Sequence, residues 1–205
     1  MVNLFKRMRK LQTRILNIRV GTGAAVLPTP ATATKEYPPV TRLHLTYAQK
    51  IYGGHQGARH FWRNCLTRLK YHNPALPITV KQITDQEAPA SLTVYFAERL
   101  SNAASVNAAS TPDEHAPKPS EAEKTAVVDV RNLTYTDIWN KLKNMTGAQS
   151  ISATPDEQAQ LKKLDALARK SVKDRARVAA MRQAKLDHEE MLRKAKGEVE
   201  ALRQS

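Results

Sequence analysis

The feature that most constrains this chain is a change of hydrophobic period, from two to about 3.6 and back to two, across residues 40–83. From Val40 to Tyr47, Leu43, Leu45 and Tyr47 alternate with Arg42, His44 and Thr46, the pattern of a strand with one buried face. Gly53-Gly54 breaks that pattern. Between Gly57 and Tyr71, Ala58, Phe61, Trp62, Cys65, Leu66 and Leu69 then recur at helical spacing and make one apolar stripe. Asn73-Pro74 ends the helix, because the residue before a proline is pushed out of helical geometry. Pro77–Ile83 returns to an extended pattern. A strand, a helix and a second strand in this order predict a parallel pair joined by a crossover helix.

The residues up to Gly147 complete one layered core. Leu92, Val94 and Phe96 alternate in a third strand, and Val127, Val128 and Val130 lie in a fourth over Thr125–Arg131. Thr134 with Asp137 forms a helix start signal before Ile138, Trp139, Leu142 and Met145, and Gly147 closes that helix. The predicted class is α/β: a β-α-β-β-β-α domain over 40–147 with the thioredoxin-like element order, carrying a basic N-terminal arm and a long C-terminal α-helix. The arm and linker occupy 1–39 and end in a stretch of Pro, Ala and Thr that reads as extended. Residues 101–124, rich in Ala, Ser, Pro and Glu, read as a flexible insertion in the domain. Residues 148–205 form the charged tail, in which Thr154-Pro155-Asp156-Glu157 is a capping signal with no proline after it.

The charge balance points to the partner. The 205 residues carry a net charge of +14, which attracts polyanions. It is heaviest in residues 1–35, where Lys6, Arg7, Arg9, Lys10, Arg14, Arg19 and Lys35 stand without one acid. Such an amphipathic, Arg-rich, acid-free start also has the character of a mitochondrial address. An ordered basic arm needs something to hold it, and phosphate contact by Arg and Lys fixes position without reading bases. Phe5 is the one aromatic in residues 1–35, so base stacking is not the arm's main mode. In the tail, nine basic residues and only Asp165 and Asp174 lie between Lys162 and Lys185. The apolar residues of the tail lose register, so it should lie against a partner rather than bury itself.

No pattern supports catalysis. Dithiol chemistry needs an attacking and a resolving thiol. The loop where they would stand reads Gly53-Gly54-His55-Gln56-Gly57-Ala58-Arg59, and the lone Cys65 falls inside the helix on its apolar side. His44, His55, His60, His72, His115 and His188 show no metal-ligand spacing, and Gly21-Thr22-Gly23 lacks the strand and helix of a phosphate loop. No enzyme activity, cofactor, metal, small-molecule substrate or membrane span is expected.

The stretch Thr41–Gly147 resembles the thioredoxin-like domain of mitochondrial ribosomal proteins, a domain shared with an accessory subunit of respiratory complex I. The residues that carry the likeness are Gly57-Ala58-Arg59-x-Phe61, the Asn73-Pro74 stop, Ile78-x-Val80 and the late Val-rich strand. Leu66-x-x-Leu69-Lys70-Tyr71-x-Asn73-Pro74, with the basic start and the charged tail, looks most like the fungal large-subunit member. The resemblance implies a structural constituent of the mitochondrial ribosome in the matrix, with rRNA and neighbouring ribosomal proteins as partners, the latter through the C-terminal helix. A small-subunit protein and the complex I subunit are the rivals; the long extensions count against the second. The expected RNA contacts are Lys6, Arg7, Arg9, Lys10, Arg14, Arg19, Arg59 and Arg63. In thioredoxin-like folds a cis proline often precedes the third strand, and Pro89 stands at that place, before Leu92.

Overall fold

The computed structural model describes residues 3–204, apart from 98, 103, 104 and 106–111. It comprises two compact units, 1–153 and 154–205. In the first, α1 (Leu4–Arg19) and a short β1 (Ala25–Val26) precede β2 (Val40–Ala48). The crossover is α2 (Gln56–Phe61), a π-helical turn (Trp62–Leu66) and α3 (Thr67–His72), leading to β3 (Ile78–Ile83). Then come β4 (Ser91–Ala97), β5 (Glu123–Asp129), α4 (Tyr135–Thr146) and a short β6 (Gln149–Ser150).

The four long strands form one mixed sheet in the order β3-β2-β4-β5. β2 runs parallel to β3, with Leu43 opposite Ile78 and Leu45 opposite Val80. It runs antiparallel to β4, and β4 antiparallel to β5. One sheet face carries Leu43, Leu45, Tyr47, Leu92, Val94, Phe96, Ala126 and Val128, all buried in one cluster with Phe61, Leu69, Ile138 and Leu142 of the helices. Each fully buried Leu or Phe there contributes about 1.5–3 kcal/mol. The α/β class and the order of these elements are those read from the hydrophobic periods.

The opposite sheet face is polar yet also covered. His44, Thr46, Ser91 and Thr93 are buried. Asp113 accepts from the Thr46 hydroxyl at 2.7 Å, and the Tyr95 hydroxyl donates to the Pro117 carbonyl at 2.5 Å. Arg42 lies 4.1 Å over the Tyr95 ring, donates to the Lys118 carbonyl, and pairs with Glu123 at 2.7 Å. Residues 112–123 therefore lie tied across the back of the sheet. The expectation of a flexible insertion falls partly on 103, 104 and 106–111, which lie outside the described residues.

Two details differ from the sequence reading. The peptide bond before Pro89 is trans, as are all those described. The reversal into β4 is made instead by a turn in which Asp85 accepts from the Glu87 N–H, so the chain reaches the sheet without the isomer that costs more. The segment before β2 is also more than a linker: Ala24, Ala25 and Leu27 are buried, and β1 pairs antiparallel with β6.

The second unit is α5, one continuous helix over Pro155–Gln204. It starts in a capping box: the Glu157 carboxylate accepts from the Thr154 N–H at 3.0 Å, and the Thr154 hydroxyl accepts from the Glu157 N–H. Fifty residues span about 75 Å. No described helix is long and apolar enough to cross a membrane.

Candidate nucleic-acid interface

The basic arm is a helix because Asn3 caps it, its side chain accepting from the Phe5 N–H at 2.9 Å. Lys6, Arg7, Arg9, Lys10, Arg14 and Arg19 are all exposed on α1, and its first turn holds no acid. The helix docks by its C-terminal end. Leu16 is buried, and Arg68 of α3 donates to the carbonyls of Asn17 and Thr22 at 2.7 and 2.8 Å. The His72 ring donates to the Arg19 carbonyl at 2.9 Å. Asn73 serves twice: it stops the helix, and its side chain donates to Ala25 O while accepting from Leu27 N–H.

Arg59 and Arg63 sit four residues apart on the α2–π stretch that leads into α3, half-buried and exposed respectively. The two basic sets thus lie on adjoining elements, since α1 rests on α3. Lys6, Arg7, Arg9, Lys10, Arg14, Arg59 and Arg63 form no ion pair with a carboxylate among the described residues. Contrast Arg42 and Arg131, whose charges are taken up by Glu123 and Glu87. Spacing along the sequence could find the first group; it could not single out Arg68, which is spent on holding α1.

At the helix start where a dithiol would stand, the residues serve packing. His55 is fully buried; its Nε2–H donates to the Gln86 carbonyl at 2.9 Å, and its Nδ1 accepts from the Ala48 N–H. Gly53 and Gly54 have φ of 73° and 91°, a region that side chains other than glycine rarely adopt. A Cβ on Gly57 would collide with the Leu133 carbonyl, which is why glycine starts this helix. Cys65 is buried, and burial pushes its thiol up to about 12, so the thiolate needed for exchange does not form near neutral pH.

Comparison with known proteins adds to this geometry. The family described as mitochondrial ribosomal protein L51 / S25 / CI-B8 domain matches residues 58–135. The chain is 33% identical over 207 residues to the large ribosomal subunit protein mL61 of Neurospora crassa, covering 99% of this chain and 98% of that protein. It is 30% identical over 100 residues to the large ribosomal subunit protein mL61 of Saccharomyces cerevisiae, covering 49% of this chain and 59% of that one. The residues that carried the resemblance, from Ala58 through Asn73-Pro74, fall within the matched family stretch. The longer similarity takes in the regions that carry α1 and α5 as well.

Proposed function

The chain belongs to the family of the large ribosomal subunit protein mL61, and from that premise we propose that it is a structural protein of the mitochondrial large ribosomal subunit, holding rRNA with α1 and the adjoining core cations. It works in the mitochondrial matrix as a scaffold and not as a catalyst. The domain is thioredoxin-like in its element order, and its helix-start loop is used for packing. The full-length similarity to a large-subunit protein supports that subunit over the small one.

The observation that carries the RNA contact is the acid-free basic helix α1, docked by its C-terminal end, on which Lys6, Arg7, Arg9, Lys10 and Arg14 form no ion pair with a carboxylate among the described residues. Lys6, Arg7, Arg9, Lys10, Arg14 and Arg19 neutralise backbone phosphates along the helix, and Arg59 and Arg63 extend the contact onto the core. Such contacts set position and orientation, and carry no base sequence. Residues 1–39 act as the RNA arm and 40–147 as the platform. Residues 148–205 reach neighbouring ribosomal proteins through α5. Replacing Lys6, Arg7, Arg9 and Lys10 by Ala is expected to weaken incorporation into the large subunit, most at low salt, and to make what remains less salt-dependent, because fewer phosphate contacts release fewer counterions. Incorporation unchanged across salt concentrations would remove α1 from the RNA contact.

A further inference from the structure

Over its whole length α5 keeps no single apolar stripe, but from Lys163 to Arg182 it holds a strict heptad. Leu164, Ser171 and Val178 stand seven apart, and so do Leu167, Asp174 and Met181, each three residues further on. The two rows form one seam about 27 Å long. Leu167, Val178 and Met181 in it are between 40% and 66% exposed. The positions that border the seam say what can cover it. One border is Lys163, Lys170 and Arg177; the other is Ala168, Arg175 and Arg182. Five of these six residues are cations and none is an acid. Lys163, Lys170, Arg175 and Arg182 form no ion pair with a carboxylate among the described residues, and Arg177 reaches Asp174 only at 4.0 Å. Beyond Arg182 the borders turn mixed, with Glu189 and Glu198 entering them.

We propose that residues 163–182 of α5 pair side by side with one amphipathic helix of a neighbouring protein, whose own apolar seam is bordered by acids. The proposal rests on the reading of α5 as the part that reaches neighbouring ribosomal proteins, and names the chemistry of that neighbour. Border charges select the partner and orientation of a helix seam. A second copy of α5 would set cations against cations, whether the two ran parallel or antiparallel. RNA would meet the cations and leave Leu167, Val178 and Met181 in water. An acid-bordered helix satisfies the seam and both borders together. Leu167, Val178 and Met181 are its anchors, and Lys170, Arg175 and Arg182 choose its charge. Ser171 and Asp174 interrupt the seam between the apolar ends, and polar residues there fix register at some cost in stability.

Fluorescence anisotropy of the purified full chain tests the pairing. The probe is a labelled helical peptide of about three heptads, with Leu along its seam and Glu along both borders. The same peptide with Lys in place of Glu should not bind. Changing Lys170, Arg175 and Arg182 together to Gln should weaken binding about fivefold or more, the scale of three lost ion pairs. Changing Lys162, Arg169 and Lys173 to Gln removes as much charge away from the seam and should cost less than about twofold. Changing Leu167, Val178 and Met181 to Gln should weaken binding about tenfold or more, as lost anchors do. Gln is a good helix former, so circular dichroism should show the same helix content in every variant. Equal losses from the two charge sets, or no loss from the seam change, would reduce the binding to bulk charge and overturn the proposal. In assembled large subunits, a photoreactive residue in place of Met181 should crosslink to a protein helix bordered by Asp and Glu. A crosslink to rRNA, to a second copy of this chain, or to a segment without those acids would overturn it. Peptide discrimination as expected, with the chain absent from the large subunit, would contradict the ribosomal reading and leave the pairing standing.

Discussion

At the scale of single residues, backbone proximity decides more than chemistry. Gly57 was legible as a tight helix start, but only the Leu133 carbonyl above it says why no other residue fits. Gly57→Ala, which in an open helix would add stability, is expected to cost about 1–3 kcal/mol here, measured by denaturant unfolding. His44 gives a second prediction. It is buried on the sheet back, where its ring meets the Thr79 hydroxyl at 2.6 Å, with Asp113, His115 and Arg42 as its charged or titratable neighbours. Burial chiefly lowers its pKa below 6.5; the Asp113 charge and a hydrogen bond with the His115 backbone oppose this, and the charges of His115 and Arg42 add to it. The folded state therefore binds this proton less well than the unfolded chain. The stability that His44 contributes is present above pH 6.5 and is lost as pH falls below it. Thermal unfolding temperatures should drop between about pH 7.5 and 5.5, and His44→Gln should flatten that drop; an equally steep loss in the variant would assign it elsewhere. Residue identities gave no sign of this burial, because His44 occupies the polar phase of a strand whose solvent side looked open.

At the scale of elements, what was periodic could be read and what was short could not. The strands at 40–48 and 91–97 alternate cleanly, and α4 announces both ends: the Thr134 side chain accepts from the Asp137 N–H, and Gly147 takes the left-handed C-cap at φ 66°. β1 and β6 have two residues each, too few for any period, and their pairing depends on Asn73 holding Ala25 and Leu27. The strap over 112–123 hid in a composition that signals solvation, because its bonds run from a few polar groups to distant strands. The docking of α1 was equally hidden, as its anchors Arg68 and His72 look like ordinary helix-surface residues. Arg68→Ala removes two donors to backbone carbonyls and should raise amide exchange in residues 16–22 by about tenfold, the effect of roughly 1–2 kcal/mol of lost hydrogen bonding. Unchanged exchange would mean that Leu16 alone fixes the helix.

At the scale of the whole molecule, the chain carries its basic excess on extensions of a closed platform. The first unit has its own core, with the sheet covered on both faces. A chain ending at Ala153 should therefore unfold within a few degrees of the complete one by calorimetry; a large drop would make α5 part of the core. The exposed ion pairs of α5, Lys185 with Glu189 at 3.7 Å and Arg177 with Asp174 at 4.0 Å, contribute little to holding a helix of that length, which suits a surface shaped for neighbours. The organisation is that of a protein whose work is position. The most direct test is fractionation of a mitochondrial lysate on a density gradient, with the chain detected across the fractions before and after ribonuclease treatment. Migration with the large ribosomal subunit, lost when the RNA is digested, is the expected result. Migration with the small subunit, or with a membrane complex indifferent to ribonuclease, would contradict the account.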